Sequence, residues 1–227
     1  MEQVIVNDVG PRDGLQNDST LVTPEDRVRL INSLLDAGVR SIEAASFVSP
    51  KAVPKMANAD QVFAALDQEA ADFSAPVPNL KGYELAKKAG ARSVAVVLSA
   101  TETMNQKNIN MSLDQTISVC KEIVAQALRD GITPRSYLSV AVECPYEGMV
   151  EEQVIEGLSA MMLEAGAKEV IVADTIGAAN PAQVKSLFTR LVSAFGAPTI
   201  SGHFHDTRAM ALANTWQALE CGIRKFD

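Results

Sequence analysis

Short apolar runs alternate along the chain with longer segments in which apolar residues recur at helical spacing. The runs Val4–Val9, Ser41–Ala45, Phe73–Val77, Ser93–Leu98, Tyr137–Val142, Glu169–Ala173 and Thr199–Phe204 predict strands. The first helical segment opens at Thr23-Pro24-Glu25-Asp26, an N-cap followed by proline at the first helical position, and it puts Val28, Ile31, Leu34 and Leu35 on one face. Further helices are predicted over Leu80–Ala89, Leu113–Arg129, Glu151–Ala165, Pro181–Phe195 and Arg208–Glu220. Gly38, Gly90, Gly131, Gly166, Gly196 and Gly222 each end such a segment just before the next strand, the place of a left-handed C′ residue. Strand, helix and glycine stop repeated in this order give a parallel sheet with crossover helices.

That sheet can stay open or close into a barrel, and the polar residues decide between the two. Asp13, Glu43, Asn79, Glu143, Asp174, His203 and His205 all fall at or just past the C-terminal ends of different strands. Barrel enzymes assemble their sites there, from several strands at once. The turn Gly10-Pro11-Arg12-Asp13-Gly14 lacks the glycine fingerprint of a dinucleotide fold. The expected architecture is therefore α/β, a TIM (β/α)8 barrel. Ile223–Asp227 reads as the beginning of an eighth strand, so the last βα unit is expected to be incomplete. No linker or low-complexity stretch interrupts the series. Residues 1–227 are expected to form a single barrel catalytic domain, incomplete at its C-terminus.

Composition changes this picture little. The 227 residues are 47% hydrophobic, 21% charged and only 5% aromatic, an ordinary globular balance. A formal net charge of -8 argues against a nucleic-acid surface but leaves room for an anionic ligand held by a local basic cluster. No apolar run approaches the roughly 20 residues that span a bilayer. Cys120, Cys144 and Cys221 are odd in number and lack zinc-type spacing, which suits a reducing, cytoplasmic setting.

The chain's only two histidines, His203 and His205, stand two apart on a predicted strand, so both point to the same face. Two imidazoles side by side make half of a metal site. Asp13, past the first strand, is the leading third ligand, although an Asp-Gly turn is common for its own sake. Arg12 beside it can hold an oxygen that becomes an enolate. Glu43 is an acid in an apolar strand, so it needs Arg12 or the metal as a partner. Asp174 reads equally as a site acid or a turn acid. Lys107-Asn108 reads as a polar loop that meets a phosphate-bearing ligand or is simply solvated.

With these residues assembled, the chain resembles the 3-hydroxy-3-methylglutaryl-CoA lyases, members of the DRE-TIM metallolyases. The resemblance runs end to end. It rests on Val9-Gly10-Pro11-Arg12-Asp13-Gly14-Leu15-Gln16-Asn17, Ser46-Phe47-Val48-Ser49-Pro50-Lys51, Pro76-Val77-Pro78-Asn79-Leu80-Lys81-Gly82, Lys107-Asn108-Ile109-Asn110, Cys144-Pro145-Tyr146-Glu147-Gly148, Asp174-Thr175-Ile176-Gly177 and His203-Phe204-His205-Asp206-Thr207. The resemblance implies a divalent cation, Mg2+ or Mn2+, on Asp13, His203 and His205. It also implies catalytic roles for Arg12, Glu43 and Asp174, and contacts from Gln16, Asn79, Lys107 and Asn108 to an acyl-CoA substrate. The implied reaction is retro-Claisen cleavage to acetoacetate and acetyl-CoA. A homodimer is compatible with it, and neither nucleic acid nor membrane is expected as a partner.

The departures bear on substrate. Relatives of this kind supply an asparagine ligand and a cysteine loop after the eighth strand, positions that would lie past Asp227. They usually have a small residue where Glu143 stands, Tyr-Gly where Arg208-Ala209 stand, and often a lysine at Ser19. Cleavage of a related 3-hydroxyacyl-CoA such as citramalyl-CoA therefore stays open. So do a condensing synthase of the same superfamily and an inactive binding remnant.

Overall fold

The computed structural model describes residues 3–227. The strands are β1 (Ile5–Val6), β2 (Ser41–Glu43), β3 (Asp72–Pro76), β4 (Ser93–Ser99), β5 (Thr133–Ser139), β6 (Glu143–Cys144), β7 (Gly148–Met149), β8 (Glu169–Asp174), β9 (Ile200–Phe204) and β10 (Lys225–Phe226). The helices are α1 (Leu15–Asn17), α2 (Pro24–Asp36), α3 (Ala59–Ala64), α4 (Leu80–Lys88), α5 (Glu102–Ile109), α6 (Leu113–Arg129), α7 (Glu152–Ala165), α8 (Pro181–Phe195) and α9 (Ala211–Glu220).

Eight strands lie side by side in the order β1-β10-β9-β8-β5-β4-β3-β2, and every ladder between them is parallel. The ends of this sheet meet. Asp8 bridges to Ile42, donating its amide to the Ser41 carbonyl at 2.9 Å and accepting from the Glu43 amide at 2.9 Å. The eighth strand of the ring, β10, pairs with both β9 and β1, so the last repeat completes the circle. The expected TIM barrel is the architecture found.

Alternation along each strand separates two cores. On β4, Val94, Val96 and Leu98 face the helices, while Ala95 and Val97 face inward to meet Tyr137 of β5 and Ile171 of β8. At the N-terminal end the barrel is ionic. Arg135 pairs with Asp72 and lies 3.7 Å from Glu169, which Lys225 reaches at 3.5 Å. A cavity of about 710 Å³ opens at this end, lined by these residues together with Arg40, Ser41 and Asp227. In barrels this end serves stability, and the chemistry belongs to the opposite face.

Several expectations need correction. The fifth strand begins at Thr133, not Tyr137, and ends at Ser139. Val140 then takes φ +52° and leads into the antiparallel hairpin of β6 and β7. Lys107-Asn108 lie on α5, not in a loop. Buried Asn105 fixes that helix to the strand end, donating to the carbonyls of Ser99 (2.8 Å) and Thr101 (2.7 Å). The last helix starts at Ala211, not Arg208.

Ala209 sits at φ +57° in the turn before α9. A left-handed conformation costs a residue with a Cβ roughly 1–2 kcal/mol. Ala209→Gly is expected to raise stability by about 0.5–1 kcal/mol after the added freedom of the unfolded chain is allowed for. Denaturant unfolding reads this directly, and a lower midpoint would show that the turn is not strained.

Candidate metal centre at the barrel mouth

The loop after β1 is wound into a π-helical turn, Gly10–Gly14. The amides of Arg12, Asp13 and Gly14 all converge on the Val9 carbonyl, at 3.1, 2.7 and 3.4 Å. Buried Pro11 anchors the turn, and Arg12 and Asp13 project from it. On β9 the alternation is as expected. Phe204 packs against Phe188 of α8 with ring centroids 5.7 Å apart, while His203 and His205 turn the other way.

Their Nε2 atoms are 3.0 Å apart. Asp13 Oδ2 lies 4.0 Å from His203 Nε2 and 3.7 Å from His205 Nε2. Metal–ligand bonds of about 2.1 Å in an octahedron put neighbouring donors about 3.0 Å apart and opposite donors about 4.2 Å apart. The three spans lie within those limits, so the donor set fits a divalent cation. Burial, then the neighbouring His203, holds His205 below its ordinary pKa, against the pull of Asp13 and Asp174. A neutral imidazole offers the lone pair that a cation requires.

Arg12 and Glu43 form the second part of the site. Arg12 Nε donates to Glu43 Oε1, and Nη1 donates to Asp13 Oδ1 at 2.8 Å. Burial alone would lower the Arg12 pKa, but Glu43, Tyr137 and Asp13 outweigh it and hold the guanidinium above its ordinary value. Burial pushes the Glu43 carboxyl up, with Arg12 opposing. The guanidinium does not give up its proton, so Glu43 is the member of this pair that titrates.

Asp174 is buried, and its two oxygens accept the amides of Ala178 (2.9 Å) and Ala179 (3.0 Å). It ties down the loop ahead of α8. Asn79 is exposed and caps α4, accepting the Gly82 amide at 2.9 Å. Gln16 is half-buried on α1, and Lys107 and Asn108 are exposed on α5.

Two residues of this network were not singled out from sequence. Tyr137 reaches from β5 to donate to Glu43 Oε2 at 3.0 Å and also contacts Asp227 Oδ2. Asp227, just past β10, lies 3.6 Å from His203 Nδ1. The signal for Tyr137 was weak: Arg135, Tyr137 and Ser139 share one strand face, but Ser136 between them is polar too and blurs the alternation.

The cysteines stand apart from this chemistry. Burial pushes the Cys120 thiol up to about 12, and buried Cys144 accepts from Thr101 Oγ1 at 3.1 Å. Cys221 is half-exposed. A thiol-reactive reagent is expected to label Cys221 in the native protein and the other two only on unfolding. Equal labelling rates would contradict the burial of Cys120 and Cys144.

Fold and site together define a parallel barrel with a cation-donor set at its C-terminal mouth. The HMGL-like profile matches residues 3–227. The hydroxymethylglutaryl-CoA lyase YngG of Bacillus subtilis is 42% identical over 227 residues, all of this chain and 76% of that protein. The (R)-citramalyl-CoA lyase of Chloroflexus aurantiacus is 37% identical over all of this chain and 75% of its own length. The crystal structure of the HMG-CoA lyase from Brucella melitensis superposes with a TM-score of 0.97 at 38% identity, covering all of this chain and 81% of that one. The chain belongs to the HMGL-like family.

Proposed function

We propose that this barrel is a divalent-cation-dependent carbon–carbon lyase that cleaves 3-hydroxy-3-methylglutaryl-CoA to acetoacetate and acetyl-CoA. The observation that carries this reading is the convergence of Asp13, His203 and His205 beside the Arg12–Glu43 pair. Those three residues would hold Mg2+ or Mn2+, which when bound supplies a Lewis acid for the substrate's oxygens.

The protein's own groups account for the rest. Asp174 takes the proton of the C3 hydroxyl, its oxygens keeping lone pairs beyond those used by Ala178 and Ala179. The C2–C3 bond breaks as its electrons pass to the thioester, giving a ketone and an enolate. Arg12, locked in plane by Glu43 and Asp13, stabilises the enolate oxygen. Protonation at C2, which balances the proton that the C3 hydroxyl gave to Asp174, releases acetyl-CoA. Gln16, Asn79, Lys107 and Asn108 would contact the CoA portion, Lys107 offering its ammonium to the phosphates.

Residues 1–227 are read as one catalytic domain, supported by the continuous ring of strands. Three unpaired cysteines support a cytoplasmic setting. Exposed Leu212 and Trp216 on α9 support a homodimer.

The test is acetyl-CoA release from 3-hydroxy-3-methylglutaryl-CoA and from citramalyl-CoA, with Mg2+ or Mn2+ added. Preference for citramalyl-CoA would favour the second reading, which Glu143 and the 37% identical Chloroflexus relative motivate. Activity that survives exhaustive chelation would overturn the cation requirement. Condensation of acetyl-CoA with a 2-oxoacid would make the chain a synthase.

A further inference from the structure

We propose that Asp227 is a positioning residue for His203, holding its imidazole so that Nε2 is the free donor. The inference rests on the cation reading of the mouth and not on the choice of substrate. His203 Nδ1 is buried and makes no hydrogen bond among the described residues. Its nearest acidic neighbour is Asp227 Oδ2, at 3.6 Å. That gap is too long for a hydrogen bond, and a sub-ångström shift of either side chain closes it.

Asp227 needs this donor as much as His203 needs an acceptor. Its carboxylate is only 3% exposed, and His203 is its one ion-pair partner among the described residues. Asn7 Nδ2 donates to Oδ1 at 3.3 Å. Tyr137 contacts both Asp227 and Glu43, but one hydroxyl hydrogen cannot serve two carboxylates. Buried carboxylates are stable only when well supplied with donors. An Nδ1–H on His203 completes the set and leaves the Nε2 lone pair directed at Asp13 and His205. Outer-shell carboxylates of this kind fix the tautomer and orientation of metal-binding histidines.

The test uses Mn2+ affinity measured by calorimetry without substrate. Asp227→Asn is expected to weaken Mn2+ binding about 10- to 100-fold. In a His203→Ala background, titrated to correspondingly higher Mn2+, the same substitution should change affinity less than about twofold, because the group it positions is gone. An unchanged affinity in Asp227→Asn, or an equal loss in both backgrounds, would overturn the proposal. If the variant fails to fold, nitrogen NMR of the unsubstituted protein still decides. A His203 ring protonated at Nδ1 agrees with the proposal, and one protonated only at Nε2 refutes it. Failure of the unsubstituted protein to bind Mn2+ would instead overturn the cation reading, which the NMR result does not depend on.

Discussion

Replacing Arg12 with glutamine is expected to cut turnover by about 100- to 1,000-fold, the usual cost of one lost oxyanion donor. KM should change little, since the contact strengthens as the enolate forms. The same substitution leaves Glu43 buried opposite a neutral group, and removing one partner of a buried ion pair costs about 3–5 kcal/mol. The two losses separate by pH. Glu43 is already raised above its ordinary value of 4.5 by burial, with Arg12 opposing. Without Arg12 the rise is larger. A carboxyl raised on folding contributes stability that is fully present below its unfolded pKa and lost as pH rises through its folded pKa. Arg12→Gln should therefore destabilise the protein more at about pH 8 than at about pH 5, as read by denaturant unfolding. Equal destabilisation at both would mean that Tyr137 alone satisfies Glu43.

The helices were legible because their apolar stripes and caps are strong local signals. The predicted Leu113–Arg129 and Pro181–Phe195 are the helices found, each opened by a capping box. Helix α5 was not legible, because it is polar nearly all round and buries only Asn105. The start of β5 was obscured by Pro134 and Arg135, which the barrel accepts because Arg135 finds acids on β3 and β8. That compensation comes from residues far along the chain and leaves no local trace.

The site divides the same way. His203 and His205 declared themselves by spacing on one strand, and the Arg12-Asp13 turn by its position after another. Asn79 follows a strand, as a mouth residue should, and its Oδ1 also caps α4, which leaves the exposed amide nitrogen for a ligand. Tyr137 joins the network because closure of the barrel sets β5 across from β2, and Asp227 joins it because β10 pairs beside β9. Chemistry assembled across a ring is visible in sequence only where one strand carries two of its parts.

His205→Ala should remove measurable Mn2+ binding at concentrations that saturate the unsubstituted protein. It takes one of three converging donors, so its effect should exceed the roughly 10- to 100-fold expected for an outer-shell partner. The His205 side chain is about a third exposed, so the cation-free fold should tolerate the change. The contrast is best read as a linked stability. A ligand present at 100 times its Kd stabilises the native state by about 2.7 kcal/mol. Mn2+ at that level should raise the melting temperature of the unsubstituted protein and leave that of His205→Ala unmoved. Equal Mn2+ stabilisation of both would take His205 out of the ligand set.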